Sequence, residues 1–415
     1  MRLRGGWILL AVALSGAPFV LAQRSVMQPL PVDVTQALAL ERAGRTTEAI
    51  AAWQKVVAAQ PGNGPAWAQL GLLQARMGHY ADAIDAYREA QKIAPSMPGL
   101  ELNLGLALFK ADRFSEAAPI FSKLASEHPE NEQVLVLAAM SDYGEHKYAA
   151  AIPYLKQAAA MDRQNEQIRL TLAHCLLWTK QLEATLAVYK EILEINPNSA
   201  AADMIAGEAM DEKGDNAGAV EQFRAAEKAN PNEAQVHFGL AYLLWAQKRY
   251  EEAIPEFQAE LKNDPGNTQA RLYLGDTYLQ LQQYEKARAE LLKAEAAMPK
   301  EPLAHLDLGI IAQETNHPAA ALRELKQTVV LNPGSVNAHF RLARIYQQMG
   351  DRKQAQAEFE KTKTLNHTRD DSLHERIAKA NAERTPAVST GAGGAAQPAA
   401  APAAGEPSAA GPPQR

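Results

Sequence analysis

Few side chains in this chain stand where they could do chemistry. His174 precedes Cys175, the pair of residue types a thiol nucleophile needs, but neighbours on a helix point in different directions, and Cys175 reads better as a small buried apolar residue. His237, His305 and His339 occupy the same position of the 34-residue period and would lie on one line. A metal between His305 and His339 would need them closer than packed repeats allow, so packing is the stronger reading. Gly391, Gly393 and Gly394 fall in a low-complexity stretch with no strand before them, unlike a phosphate-cradling loop. With one cysteine there is no internal disulfide. No cofactor, metal or catalytic constellation is expected.

The elements that would have to carry any site are far more legible. An alanine recurs every 34 residues, at Ala49, Ala83, Ala117, Ala151, Ala219, Ala253, Ala287, Ala321 and Ala355, with Thr185 the exception. Twelve residues before each stands a second small residue, such as Ala37, Gly71, Gly105, Gly207 or Gly275. Small residues on two helices let the backbones approach, which predicts the seam of a helix pair. Four residues after the alanine, one turn on, a large apolar residue such as Trp53, Tyr87, Phe121, Phe223 or Phe257 fills the space beside it. Proline closes most periods, from Pro61 to Pro333, while Arg163 and His367 replace it in the fourth and tenth.

In its second period the chain shows Trp67, Leu70, Gly71, Gly78, Tyr80, Ala83, Tyr87, Ala90 and Pro95, and in this it resembles the tetratricopeptide repeat (TPR) family. The expected fold is all-α, a solenoid of ten tandem helix pairs over residues 30–369, with Pro29 and Pro31 shortening the first helix. The resemblance implies a right-handed superhelix whose first helices line a concave, partner-binding side. On those helices, positions three apart share a face. They read Leu72 and Ala75, Leu106 and Phe109, Met140 and Tyr143, His174 and Leu177, Glu208 and Asp211, then Tyr242 and Trp245. Leu72, Leu106, Phe109, Met140, Tyr143, Leu177, Trp178, Tyr242 and Trp245 are therefore the candidate partner-binding residues, interrupted by acid at Glu208, Asp211 and Glu212. Burial of these side chains against neighbouring repeats is the competing reading. Arg42, Arg76 and Lys110 form a basic ladder near helix C-termini, where solvated cations complement the helix dipole. The basic carboxylate grip of the family's chaperone-binding members is missing, since Val34, Leu102 and Leu170 stand where lysine would be expected.

The ends of the chain read differently. Residues 1–22 have a basic start at Arg2 and Arg4, an apolar run from Trp7 to Leu14 and small Ala22, the parts of a secretory signal, with 23–29 a linker. An uncleaved membrane anchor is the alternative; either way the chain is expected to be exported, to the periplasm or beyond, with no integral membrane domain after cleavage. A capping helix opening at Asp371 is expected over 370–384, and the Ala/Pro/Gly-rich stretch 385–415 is expected to be disordered. A formal net charge of −6 argues against nucleic acid as partner. The expected function is a non-enzymatic scaffold binding an extended or helical segment of a protein partner in bacterial envelope assembly or secretion. The alternative is an accessory subunit of an extracellular polysaccharide secretion or enzyme complex, with glycan contact.

Overall fold

The structure is a computed structural model that describes residues 32–384. The expected signal, the linker and the Ala/Pro/Gly-rich stretch lie outside the described residues. Among the described residues the chain forms twenty helices and no strand, from α1 (Val32–Arg42) to α20 (Arg352–Arg384). It divides into two compact units between Ile311 and Ala312, within α17 (Pro302–Glu314).

The first unit shows how the period builds a pair. In α3 (Gly64–Arg76) and α4 (Tyr80–Ile93) the seam residues are Gly71 and Ala83, and Ala83 is fully buried. A Cβ on Gly71 would sit 2.9 Å from the Tyr87 ring, so the residue one turn past the alanine fills the room the glycine leaves. Each seam alanine from Ala49 to Ala287 has no exposed surface, and Thr185 is equally buried in its place.

Start signals set the length of the first helices. Asn63, Asn131, Asn165, Ser199 and Asn267 share one register position, and each accepts a hydrogen bond from the backbone N–H three residues on, at 3.0–3.3 Å. Met97 and Glu233 occupy that position in two other repeats and supply no such cap. There the helices, α5 (Leu100–Lys110) and α13 (Val236–Ala246), have 11 residues instead of 13 and start after left-handed Gly99 and Gln235.

The turn inside each pair requires a left-handed residue at a fixed position, φ between +56° and +83°. Gly44, Gly78, Gly214 and Gly350 meet it without cost, whereas Asp112, His146, Lys180, Lys248, Gln282 and Asn316 carry a Cβ there. Nothing lies within 4 Å of a Cβ on Gly78, so Gly78→Ala tests the backbone alone. Gly78→Ala should cost about 1 kcal/mol and Lys248→Gly should gain up to about 1 kcal/mol, read by chemical denaturation. Changes of equal sign in the two variants would contradict the assignment.

The second unit contains α18 (Pro318–Leu331), α19 (Val336–Gln348) and α20, with Ala321, Leu325 and Ala343 fully buried. The capping helix expected to open at Asp371 is not a separate element. Asp371 lies inside α20, which runs unbroken for 33 residues. The tenth repeat has His367 in place of the closing proline, and no Pro or Gly occurs between 352 and 384 to interrupt the helical ladder. No helix among the described residues is long and apolar enough to cross a membrane.

Candidate partner-binding site

The three recurring histidines have a structural task. His305 Nε2 lies 3.2 Å from the Pro299 carbonyl and His339 Nε2 lies 3.0 Å from that of Pro333. Trp67 and Arg271 occupy the same register position and donate to Pro61 and Pro265 carbonyls at 2.9 Å. In these four repeats that position ties down the carbonyl of the closing proline through a side-chain ring or guanidinium nitrogen. On the other side, His237 Nδ1 donates to Glu256 at 2.8 Å and His339 Nδ1 to Glu358 at 2.5 Å. Burial alone would raise the Glu358 carboxyl, but hydrogen bonds from His339 and Lys361 outweigh it and hold the group below its ordinary range. Glu227, His237 and Glu256 bring three donor atoms within 4.8 Å of one another and could hold a cation, yet hydrogen bonding accounts for the pair at 2.8 Å.

His174 and Cys175 do not form a nucleophilic pair. Cys175 is completely buried, and burial pushes its thiol up to about 12 while pushing the His174 imidazole down to about 4. An activated thiolate needs both shifts in the opposite direction. Sequence and structure agree here, because an apolar surround penalises both charged forms.

The candidate residues on the first helices are half-buried, apart from Leu177, which is 5 % exposed and belongs to the core. Their rings pack on one another and on the following helices. Phe109 meets Phe114 edge-on with centroids 5.3 Å apart, and Tyr143 meets Tyr148 in the same way at 5.3 Å. Trp178 leans on Tyr148 at 5.2 Å, and Tyr242, Trp245 and Tyr273 form a triangle with centroid separations of 4.8–5.5 Å. The Trp245 indole donates to buried Asp276 at 2.5 Å, so this tryptophan is anchored by its polar edge. Leu72, Leu106 and Met140 are half-buried apolar positions on the same register. The stripe is thus partly self-packed, each of its rings already in contact with another ring. Arg42, Arg76 and Lys110 are exposed in the last turns of α1, α3 and α5, as expected of dipole-complementing cations.

One stretch departs from this pattern. A small cleft of about 130 Å³ opens among α9 (Glu166–Trp178), α11 (Ala200–Glu212), α12 (Asn216–Ala229) and α13, room for part of a side chain rather than for a whole small-molecule ligand. It is lined by Leu177, Trp178, Glu208, Asp211, Tyr242 and Phe223 among others. The cause is local. The sequence of α11, AAADMIAGEAMDE, offers alanine, glycine and acid where other first helices offer Leu, Phe or Tyr. Gly239 adds to it: a Cβ there would lie 2.2 Å from the Phe223 ring, whose other edge lies against Gly207. Sequence reading missed Gly239, because it stands two residues off the small-residue register and the Phe223 ring reaches it only across the repeat boundary.

The electrostatics of the cleft are unbalanced. Lys180 at the rim pairs with Glu212. Glu208 and Asp211 have neither hydrogen-bond nor ion-pair partners among the described residues. Burial first, then the neighbouring Glu212 and Asp211, push the Glu208 carboxyl up to about 7 from its ordinary 4.5. Between these values the folded chain keeps a proton that the unfolded chain has released, so stability falls as pH rises from about 4.5 to 7 and levels off above. Glu208→Gln should remove that dependence, so its melting temperature should gain on the parent's from pH 5 to about pH 7 and hold that gain at pH 8. Parallel curves would show that Glu208 is not the group responsible.

An all-α array of paired helices with a cleft on the face of the first helices defines a repeat-type scaffold. Two family models described as tetratricopeptide repeat match residues 34–98 and 206–268, and 74–140, 143–209, 244–308 and 312–372. The chain belongs to the tetratricopeptide repeat family. No curated protein matches it. Similar solved structures include the APC/C hetero-tetramer Cut9–Hcn1, at TM-score 0.47 and 16 % identity over 66 % of this chain and 55 % of that one. A tetratricopeptide repeat protein from Parabacteroides merdae gives TM-score 0.47 and 16 % identity over 56 % of this chain and 92 % of that one. YrrB, described as having an unusual peptide-binding site, gives 0.41 and 20 % over 44 % and 95 %. The chain therefore spans about half the length of the Cut9–Hcn1 chain it matches, and identities this low speak to the fold alone.

Proposed function

We propose that this protein is an exported scaffold whose first-helix face binds an extended or helical segment of a protein partner during bacterial envelope assembly or secretion. The observation that carries the binding reading is the cleft at α9, α11 and α13, where Trp178 and Tyr242 flank a volume not filled by the chain's own side chains. Aromatic side chains half-buried at the edge of such a cleft give much contact area for little entropy loss, which is why they dominate binding energies. The compartment rests on residues 1–22, whose basic start, apolar run and small Ala22 have the form of an export signal. No group in the cleft is arranged as a nucleophile with its base, so binding is the task assigned to it.

Trp178→Ala and Tyr242→Ala should each weaken binding of a groove ligand by about 30-fold, the equivalent of 2 kcal/mol, while leaving most of the helical signal and the melting transition intact. Phe121→Ala, at a fully buried seam position, should do the reverse and lower stability by about 3 kcal/mol or more. If the two groups of variants lose stability alike and affinity not at all, the aromatics of the cleft are core.

A further inference from the structure

Among the described residues the cleft has more acid than cation. Three carboxylates lie within five residues on α11, and the one cation lining the space, Lys180, is already paired with Glu212. Among the described residues no cation pairs with Glu208 or Asp211, which line the space with Trp178 on the α9 side and the Tyr242 ring on the α13 side. Asp211 lies near enough to Tyr242 to push the phenol upward in addition to burial. Carboxylates crowded together in a partly dehydrated place cost free energy unless a cation joins them, and aromatic faces attract cations as well.

We propose that this cleft binds a lysine or arginine side chain of the partner segment, its charge held between Glu208 and Asp211 and its aliphatic stem laid on Trp178 and Tyr242. The proposal rests on the binding reading above and names the chemistry of the partner. The usual objection to a dehydrated ion pair is that both charges must leave water first. Here Glu208 is already half-buried in the folded chain and Asp211 is exposed, so binding adds the desolvation of the cation and of what Glu208 and Asp211 still show to water. An aliphatic stem between aromatic rings is the ordinary way a long cationic side chain covers apolar surface while keeping its head polar. Neighbouring repeats do not offer this combination: the positions equivalent to Glu208 and Asp211 are His174 and Leu177 before and Tyr242 and Trp245 after.

Binding should also displace a proton. Among the described residues the titratable groups around Glu208 are Asp211 and Glu212 on its own helix, Lys180 just past α9 and Tyr242 on α13, with His174 at the equivalent position of α9. His174 stays neutral above about pH 5 and the Tyr242 phenol is raised, so neither changes charge between pH 6 and 8. Glu208 does, and affinity for a cationic peptide should rise about tenfold over that range.

The test is selection of short random phage-displayed peptides on the full chain, keeping those whose binding is lost in Trp178→Ala. The expected result is Lys or Arg at a fixed position, with replacement by norleucine weakening the synthetic peptide at least tenfold. The Glu208→Gln/Asp211→Asn double variant should cost the parent peptide a similar factor and the norleucine peptide almost nothing, and the double variant should lose the pH dependence. A circular-dichroism melt of each variant confirms that it folds. Trp178-dependent peptides with no fixed basic residue, or unaffected by the acid variants, overturn the cation assignment and leave the binding reading intact. Failure to obtain any peptide that depends on Trp178 or Tyr242 overturns both.

Discussion

Gly239→Val should destabilise the protein by about 3 kcal/mol, although Gly is the worst residue short of proline for a helix interior. Helix propensity alone argues the other way, favouring replacement by a few tenths to about 1 kcal/mol. The contact decides the sign. A Cβ on Gly239 would meet Cε1, Cζ and Cδ1 of Phe223 at 2.2, 2.8 and 2.9 Å. Phe223 is only 2 % exposed, and a Cβ on Gly207 would meet the ring's opposite edge at 2.6 Å, so it has nowhere to retreat. Forced overpacking of this kind costs about 1 to 3 kcal/mol, with a branched side chain at the upper end. Phe223→Leu should be cheaper in the Gly239→Val background than in the parent, since the smaller side chain relieves the clash. Urea denaturation of the two single variants and the double gives the coupling. Additive losses would mean that Phe223 and Gly239 do not meet, and the cleft between α11 and α13 would have to be redrawn.

Arg169→Ala should cost about 3 kcal/mol or more, the largest effect expected of any polar substitution here. This guanidinium is 6 % exposed. Its Nη2 donates to the Ala159 carbonyl at 2.9 Å, and its Nη1 to Asp162 and Asn165 carbonyls at 3.0 and 3.3 Å. Ala159 lies in the last turn of α8 (Tyr148–Met161), the helix whose period lacks a closing proline and carries Arg163 instead. Arg169 thus ties the last turn of α8 to the turn leading into α9, where no closing proline stands, and its charge complements the dipole of the α8 C-terminus. Removing it strands the buried Ala159 acceptor, at about 1 to 3 kcal/mol, weakens two part-buried ones, and leaves the space of a large side chain. Arg169→Lys should recover part of the loss but not all, because one ammonium cannot reproduce the planar fork. The paired Glu191 is half exposed at 3.3 Å, so Glu191→Ala should change stability by less than about 1 kcal/mol. If Glu191→Ala and Arg169→Ala are equally costly, the ion pair rather than the carbonyl staple is what holds this junction.

The period, the seam and the helix pairs were legible in the residues because each depends on short-range geometry. A small residue twelve positions before an alanine and a large one four after it can satisfy one arrangement of two helices, and Gly71, Ala83 and Tyr87 meet in that way. Helix starts were legible for the same reason wherever Asn or Ser stood at the cap, as at Asn63 and Ser199. The junction at Asp371 was misread because a good capping residue matters only where something stops the preceding helix, and nothing between 352 and 384 does. The candidate site was half legible. Helical spacing put Glu208 and Asp211 on one face of their helix, and the resemblance to the repeat family implied that this face is shared with Trp178 and Tyr242 on the neighbouring first helices. It could not say which rings are taken up by neighbours, that Lys180 already belongs to Glu212, or that Gly239 makes room for Phe223. Those are contacts between repeats, set by how far one helix pair is shifted against the next, and that displacement is the sum of many side-chain volumes. One chain's residue types therefore determine the repeating unit, whereas where two units leave a gap is decided only when they pack.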